Sequence, residues 1–80
     1  MNISDAVAKR IRELLISNNL TQYKLAQKAC ISRETLKSIL KGKSNSVNLK
    51  TIIAIADGFN MTISEFLNSE LFLYDNLNMD

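Results

Sequence analysis

The chain of 80 residues has no histidine, no proline and a single cysteine, Cys30. Without histidine or a second cysteine, the usual Cys/His zinc site is excluded, and so is an internal disulfide. A lone thiol fits a reducing compartment. The sequence also lacks a phosphate-cradling glycine loop and any nucleophile beside a plausible base, so an enzyme is the weakest reading and no motif implies a cofactor. The longest purely apolar run is Ile52–Ala56, far short of the roughly 20 residues that a membrane span needs. Near the start, Asp5, Lys9, Arg10, Arg12 and Glu13 interrupt any signal-peptide core. The expected location is the cytoplasm, with no membrane partner.

A further absence is regional: no lysine or arginine follows Lys50. The first fifty residues hold all ten basic side chains against three acidic ones, a net +7, and the remainder holds five acidic residues, a net −5. A basic half and an acidic half point to a polyanion on one side and something else on the other, although charges also simply solvate a surface. Hydrophobic content of 46% and charged content of 22% are those of a globular chain. Eighty residues make one small domain, which buries only roughly 60 to 65% of the surface exposed by the unfolded chain. A partner subunit would add to that thin margin.

Five helical segments can be placed, and nothing alternates with the period of a strand, so the expected class is all-α. Val7, Ile11, Leu14 and Leu15 form the apolar stripe of a first helix that Ser4 or Asp5 can cap, ending at Asn18 and Asn19. Thr21 and Ser32 are N-caps for a second and third helix, with Leu25, Ala26 and Ala29, then Leu36, Ile39 and Leu40, facing inward. Gly42 suits a left-handed stop, and 43–46 read as a polar loop. Asn48 caps a fourth helix with Leu49, Ile52, Ile53 and Ala56 inward, ending near Gly58. Thr62-Ile63-Ser64-Glu65 is a capping box for a short fifth helix. Phe59, Met61, Phe66 and Leu67 read as core. Residues 1–70 then form the domain, and 71–80 a tail whose Leu71–Tyr74 segment suits a docked strand, a helical extension or a dimer contact.

Only Cys30 and Ile31 separate the second helix from the N-cap of the third, so the two must cross sharply, as in a helix-turn-helix. At about 100° per residue, with Arg33 at zero, Lys37, Lys41, Glu34 and Ser38 fall within about 140° of one side. Leu36, Ile39 and Leu40 fall between about 240° and 340°, opposite them. Any surface helix has a polar face. This one follows a tight turn and is mostly basic, which points to entry into a DNA groove.

Thr21-Gln22-Tyr23-Lys24-Leu25-Ala26, Ile31-Ser32-Arg33-Glu34-Thr35-Leu36, Gly42-Lys43 and the later Leu49, Ile52, Ile55, Ala56 spacing resemble the phage-repressor/Cro-type helix-turn-helix family, of the xenobiotic-response-element class. The resemblance spans roughly residues 7–68 and implies a five-helix, lambda-repressor-like DNA-binding domain. It further implies that Arg33, Glu34 and Ser38 face base edges, with Lys37 beside them. Arginine can bond guanine O6 and N7 together; Glu34 can accept from a cytosine amino group or orient Arg33 or Lys37. Gln22 would bond a phosphate from the start of the second helix. Ser32, Lys41, Lys43 and Ser44 would hold the backbone, and Tyr23 either touches it too or covers the first helix.

Two positions depart from the family pattern. The turn glycine is Cys30 here, and a left-handed cysteine is disfavoured by about 1 kcal/mol. Cys30 itself is either a packing residue or a redox sensor. An ion pair between the first and third helices is replaced by Leu15 and Leu40, which can preserve or raise stability. The function implied is a sequence-specific transcriptional regulator, expected to be a repressor binding double-stranded DNA as a homodimer on a pseudo-palindromic site. No sensor segment is evident, so a signal would act through concentration, a partner or proteolysis. The alternative is an antitoxin or protein-interaction module using the same fold, with a protein partner on the acidic C-terminal half.

Overall fold

Five side chains start five helices. Asn2, Thr21, Ser32, Asn48 and Thr62 each accept a hydrogen bond from the backbone N–H three residues on, an arrangement that stabilises a helix by typically about 1 kcal/mol. The helices are α1 (Ile3–Ser17), α2 (Gln22–Ala29), α3 (Arg33–Leu40), α4 (Leu49–Gly58) and α5 (Ile63–Leu67), followed by single 3-10 turns at Glu70–Phe72 and Tyr74–Asn76. The computed structural model describes residues 1–42 and 47–77, so the loop expected at 43–46 lies outside the described residues. Among the described residues there is no strand, and no helix is long and apolar enough to cross a membrane. The chain is all-α.

Most helix limits follow the sequence reading, with one correction. The first cap is Asn2, not Ser4 or Asp5: its Oδ1 accepts from the Asp5 amide at 2.8 Å. Asp5 instead sits in the first turn, where its charge complements the positive helix end. The Thr62–Glu65 capping box is complete, with Thr62 N to Glu65 Oε1 at 2.8 Å and Glu65 N to Thr62 Oγ1 at 3.1 Å.

In the packing, α2 lies on α4, α1 on α3 and α5 on α4, and α2 meets α3 at the turn. Val7, Ile11, Leu14 and Leu15 of α1 share one core with Leu25, Leu36, Ile39, Leu40, Ile52, Ile55, Phe59 and Phe66. Leu15 and Leu40 are both buried there, so the apolar replacement of the ion pair is a packed one. The same two helices are also tied by Arg12, whose Nη2 donates to the Leu40 carbonyl. That carbonyl is one of those left without an intrahelical partner at the end of α3.

The inward face of α4 is the expected one at Ile52 and Ala56 but not at Leu49 and Ile53. Leu49 and Ile53 are 62% and 47% exposed, whereas Ile52, Ile55, Ala56 and Phe59 are buried. This helix is apolar almost all round, so two stripes about 100° apart have equal claim on the core; Ile55 and the following Phe59 settle which one wins. Leu67 is likewise exposed rather than core. Phe66 takes the inward position of the short α5, and the next residue is turned about 100° away. Gly58 permits the close approach of α2 to α4: a Cβ there would stand 3.0 Å from Leu25 Cδ1 and 3.3 Å from the Ala29 amide.

Among its described residues the tail forms neither a strand nor an α-helical extension. Its two 3-10 turns lie back along the domain: the first contacts α1, and Phe72 packs against the core with its ring 6.2 Å from that of Phe66. The Met1 ammonium donates to the Asn76 carbonyl at 3.1 Å. Arg10 fastens α1 to α5 through the Phe66 carbonyl at 2.7 Å and the Glu65 carbonyl at 3.0 Å.

Candidate nucleic-acid interface

The second and third helices are joined by a left-handed residue. Cys30 has φ 56° and ψ 40°, so the turn keeps the shape that a glycine would give it. The Ile31 amide reaches back to the Ala26 carbonyl at 3.1 Å and the Cys30 amide to Gln27 at 3.2 Å, which satisfies carbonyls at the end of α2. The cysteine side chain is exposed and so does not pack the core. Leu25 and Leu36 are buried in the angle between the helices, and Ile31 is half-buried against them.

Burial of Leu36, Ile39 and Leu40 fixes the rotation of α3. Arg33, Glu34, Lys37, Ser38 and Lys41 therefore all stand exposed. Glu34, Lys37, Ser38 and Lys41 line a shallow groove along one flank of the helix. Gln22, Tyr23, Arg33, Leu36 and Lys37 line a small cleft on the other flank, where α2 meets α3. Lys37 borders both. Of the ten residues that the family resemblance implies at a DNA surface, seven border one or other depression: Gln22, Tyr23, Arg33, Glu34, Lys37, Ser38 and Lys41. Ser32 borders neither; Lys43 and Ser44 lie outside the described residues.

Hydrogen bonding separates these residues further. Ser32 Oγ accepts from the Thr35 amide at 3.0 Å and donates to Thr35 Oγ1 at 2.8 Å, so its single donor is already engaged. Gln22 is the first residue of α2, beside the Thr21 cap whose Oγ1 accepts from the Lys24 amide at 3.1 Å. An anion at such a helix start meets free amides and the positive end of the helix dipole. Tyr23 is about half exposed and turned toward α3. Its ring lies under Arg33, with the guanidinium carbon 5.3 Å from the ring centroid, and its hydroxyl accepts from Gln27 Nε2 at 3.1 Å. Sequence reading missed Gln27; its spacing of four from Tyr23 on one helix was the available signal. It also missed Arg12, whose partner is a backbone carbonyl and leaves no trace in the sequence.

A capped helix, a left-handed turn and a second helix with a basic and polar outer face define a DNA-binding helix-turn-helix domain. A family model described as "Helix-turn-helix" matches residues 11–66. The chain belongs to this helix-turn-helix family, of the Cro/C1 type, and is a DNA-binding transcriptional regulator. Among solved structures it is similar to the restriction-modification controller protein C.AhdI from Aeromonas hydrophila, with 25% sequence identity, a TM-score of 0.71, and coverage of 79% of this chain and 94% of that one. No curated protein matches the sequence.

Proposed function

We propose that this regulator is a cytoplasmic, non-enzymatic repressor that binds a pseudo-palindromic operator as a homodimer and occludes a promoter. The observation that carries the reading is the outer face of α3, where Arg33, Glu34, Lys37 and Ser38 stand exposed over the buried Leu36, Ile39 and Leu40. In this reading Arg33, Glu34, Lys37 and Ser38 meet base edges in the major groove. Gln22, Tyr23 and Lys41 meet phosphates, together with Ser32 through a rotated hydroxyl and with Lys43 and Ser44. Likeness to a controller protein supports a gene-regulatory role.

Dimerisation is supported by the exposed stripe of Leu49 and Ile53 on α4. Lys50 and Asp57 flank that stripe and are also exposed. In a two-fold antiparallel pairing of α4 centred near Ile53, Lys50 of one copy falls opposite Asp57 of the other, so the surface is complementary to itself. The tail is a second candidate contact, through the exposed Leu73 and Tyr74. Those two residues, on the acidic half, also favour an alternative reading in which a protein partner docks there, as in an antitoxin.

Selection of bound duplexes from a random pool, followed by gel shifts across a salt series, tests the main reading. Half-sites related by two-fold symmetry and roughly one helical turn apart, about 34 Å, are expected. Affinity should fall steeply as salt rises, because several lysines and arginines displace counterions. Absence of any bound duplex at low salt would sink the proposal and leave the protein-docking alternative.

A further inference from the structure

We infer that Tyr23 is the positioning residue for Arg33: its ring holds the guanidinium over the groove-facing side of α3 and so sharpens discrimination at the base pair that Arg33 reads. This deepens the DNA-binding reading above and rests on it. The two residues belong to different helices, ten positions apart in sequence, and are brought together by the left-handed turn at Cys30. The guanidinium carbon stands 5.3 Å from the ring centroid, inside the roughly 6 Å over which a cation is attracted to an aromatic face. Among the described residues Arg33 has no carboxylate partner, and Glu34, its neighbour, is not paired with it.

The chemistry of the two groups makes this contact compatible with base reading. A guanidinium meets an aromatic ring with its flat face, while its N–H donors point outward in the plane of the group. Held with that face toward Tyr23, the guanidinium would keep the edge that bonds guanine O6 and N7 unobstructed. A free arginine has many rotamers, and ordering it on binding subtracts from affinity; a rotamer already held by the ring avoids much of that loss. The ring is itself held. Gln27 Nε2 donates to the Tyr23 hydroxyl at 3.1 Å, one turn further along the same helix, while Leu36 and Lys37 close the cleft around the ring and the guanidinium. The hydroxyl proton of Tyr23 stays available to a phosphate, so the ring and the hydroxyl have separable roles.

Tyr23→Phe and Tyr23→Leu separate them. The probes are a duplex selected from random DNA and the same duplex with the guanine read by Arg33 replaced. Tyr23→Phe keeps the ring: it should preserve the affinity ratio between the two duplexes, whatever uniform loss the missing hydroxyl brings. Tyr23→Leu should weaken the selected duplex by a further two- to five-fold, the size expected of an exposed cation–aromatic pair, and leave the altered duplex as Phe leaves it. In an Arg33→Ala background that further loss should vanish. A uniform loss on both duplexes with Leu, or a loss that persists in Arg33→Ala, overturns the inference. Side-chain NMR of the free protein provides a DNA-independent arm. The Arg33 Nε–H resonance should carry a ring-current shift in wild type and Tyr23→Phe that Tyr23→Leu abolishes, and identical resonances in all three overturn the inference. Failure of every duplex to bind, with that shift intact, would count against the DNA reading and not against the Tyr23–Arg33 contact.

Discussion

Helices α3 and α4 each turn one face to the core and the other to solvent, but the solvent faces differ in kind. On α3 the outer residues are Arg33, Glu34, Lys37 and Ser38; on α4 they include Leu49 and Ile53. A polar, basic face can stay in water at no penalty and still meet a polyanion. Its exposure is compatible with a free monomer and with DNA binding alike. Two adjacent aliphatic side chains one turn apart gain nothing from water, and each, being about half exposed, forgoes part of the about 1.5–3 kcal/mol that full burial brings. The contrast supports the proposed division of partners, nucleic acid for α3 and a second copy of the chain for α4.

The largest effect that would break this division lies within α4. Ile55→Ala should destabilise the fold by about 2–5 kcal/mol, as for other large-to-small changes in a close-packed core, whereas Ile53→Lys should alter monomer stability by no more than about 0.5 kcal/mol. Denaturant unfolding measures both. Sedimentation should show a dimer for the wild type and a monomer for Ile53→Lys; a surviving dimer would remove this stripe from the subunit contact and turn attention to Leu73 and Tyr74.

On α3 the effect is smaller and selective. Arg33→Ala should lose about 1–3 kcal/mol of discrimination at one base pair while leaving the others ranked as before. Competition binding with single-base variants reads this, and equal weakening on every variant would make Arg33 a phosphate ligand. The smallest effect concerns the turn that presents α3. Cys30→Gly should raise stability by about 0.5–1 kcal/mol, because glycine takes φ near 56° without a Cβ penalty but brings a more flexible unfolded chain. A fall in melting temperature would mean that the exposed cysteine side chain makes contacts that offset its strain.

The same pair of helices shows what could be read in advance. In α3 the apolar residues occupy a single arc, so only one rotation buries them, and that rotation dictates the exposed set. The stops and starts at Thr21, Ser32, Asn48 and Thr62 were equally plain, since a side-chain oxygen followed by a free amide is a local arrangement. In α4 apolar residues surround the axis, and choosing among rotations needed the neighbours: Gly58 lets α2 come close, and Phe59 fills the core beneath it. The first cap was misplaced by a few residues because Asn2, Ser4 and Asp5 all carry suitable oxygens. The tail resisted reading for a different reason, since Phe72 finds its place only on the ring of Phe66.

Composition, capping residues and one-sided helices were sufficient to specify an all-α helix-turn-helix domain with a basic presenting face, because each depends on atoms within a turn or two of one another. Contacts between distant segments needed the folded chain. The ring of Tyr23 under Arg33, the Arg12 bond to the Leu40 carbonyl and the outward turn of Leu49 and Ile53 arise from how whole helices settle against one another. That settling minimises exposed apolar area over the entire core at once, and no local pattern records its outcome.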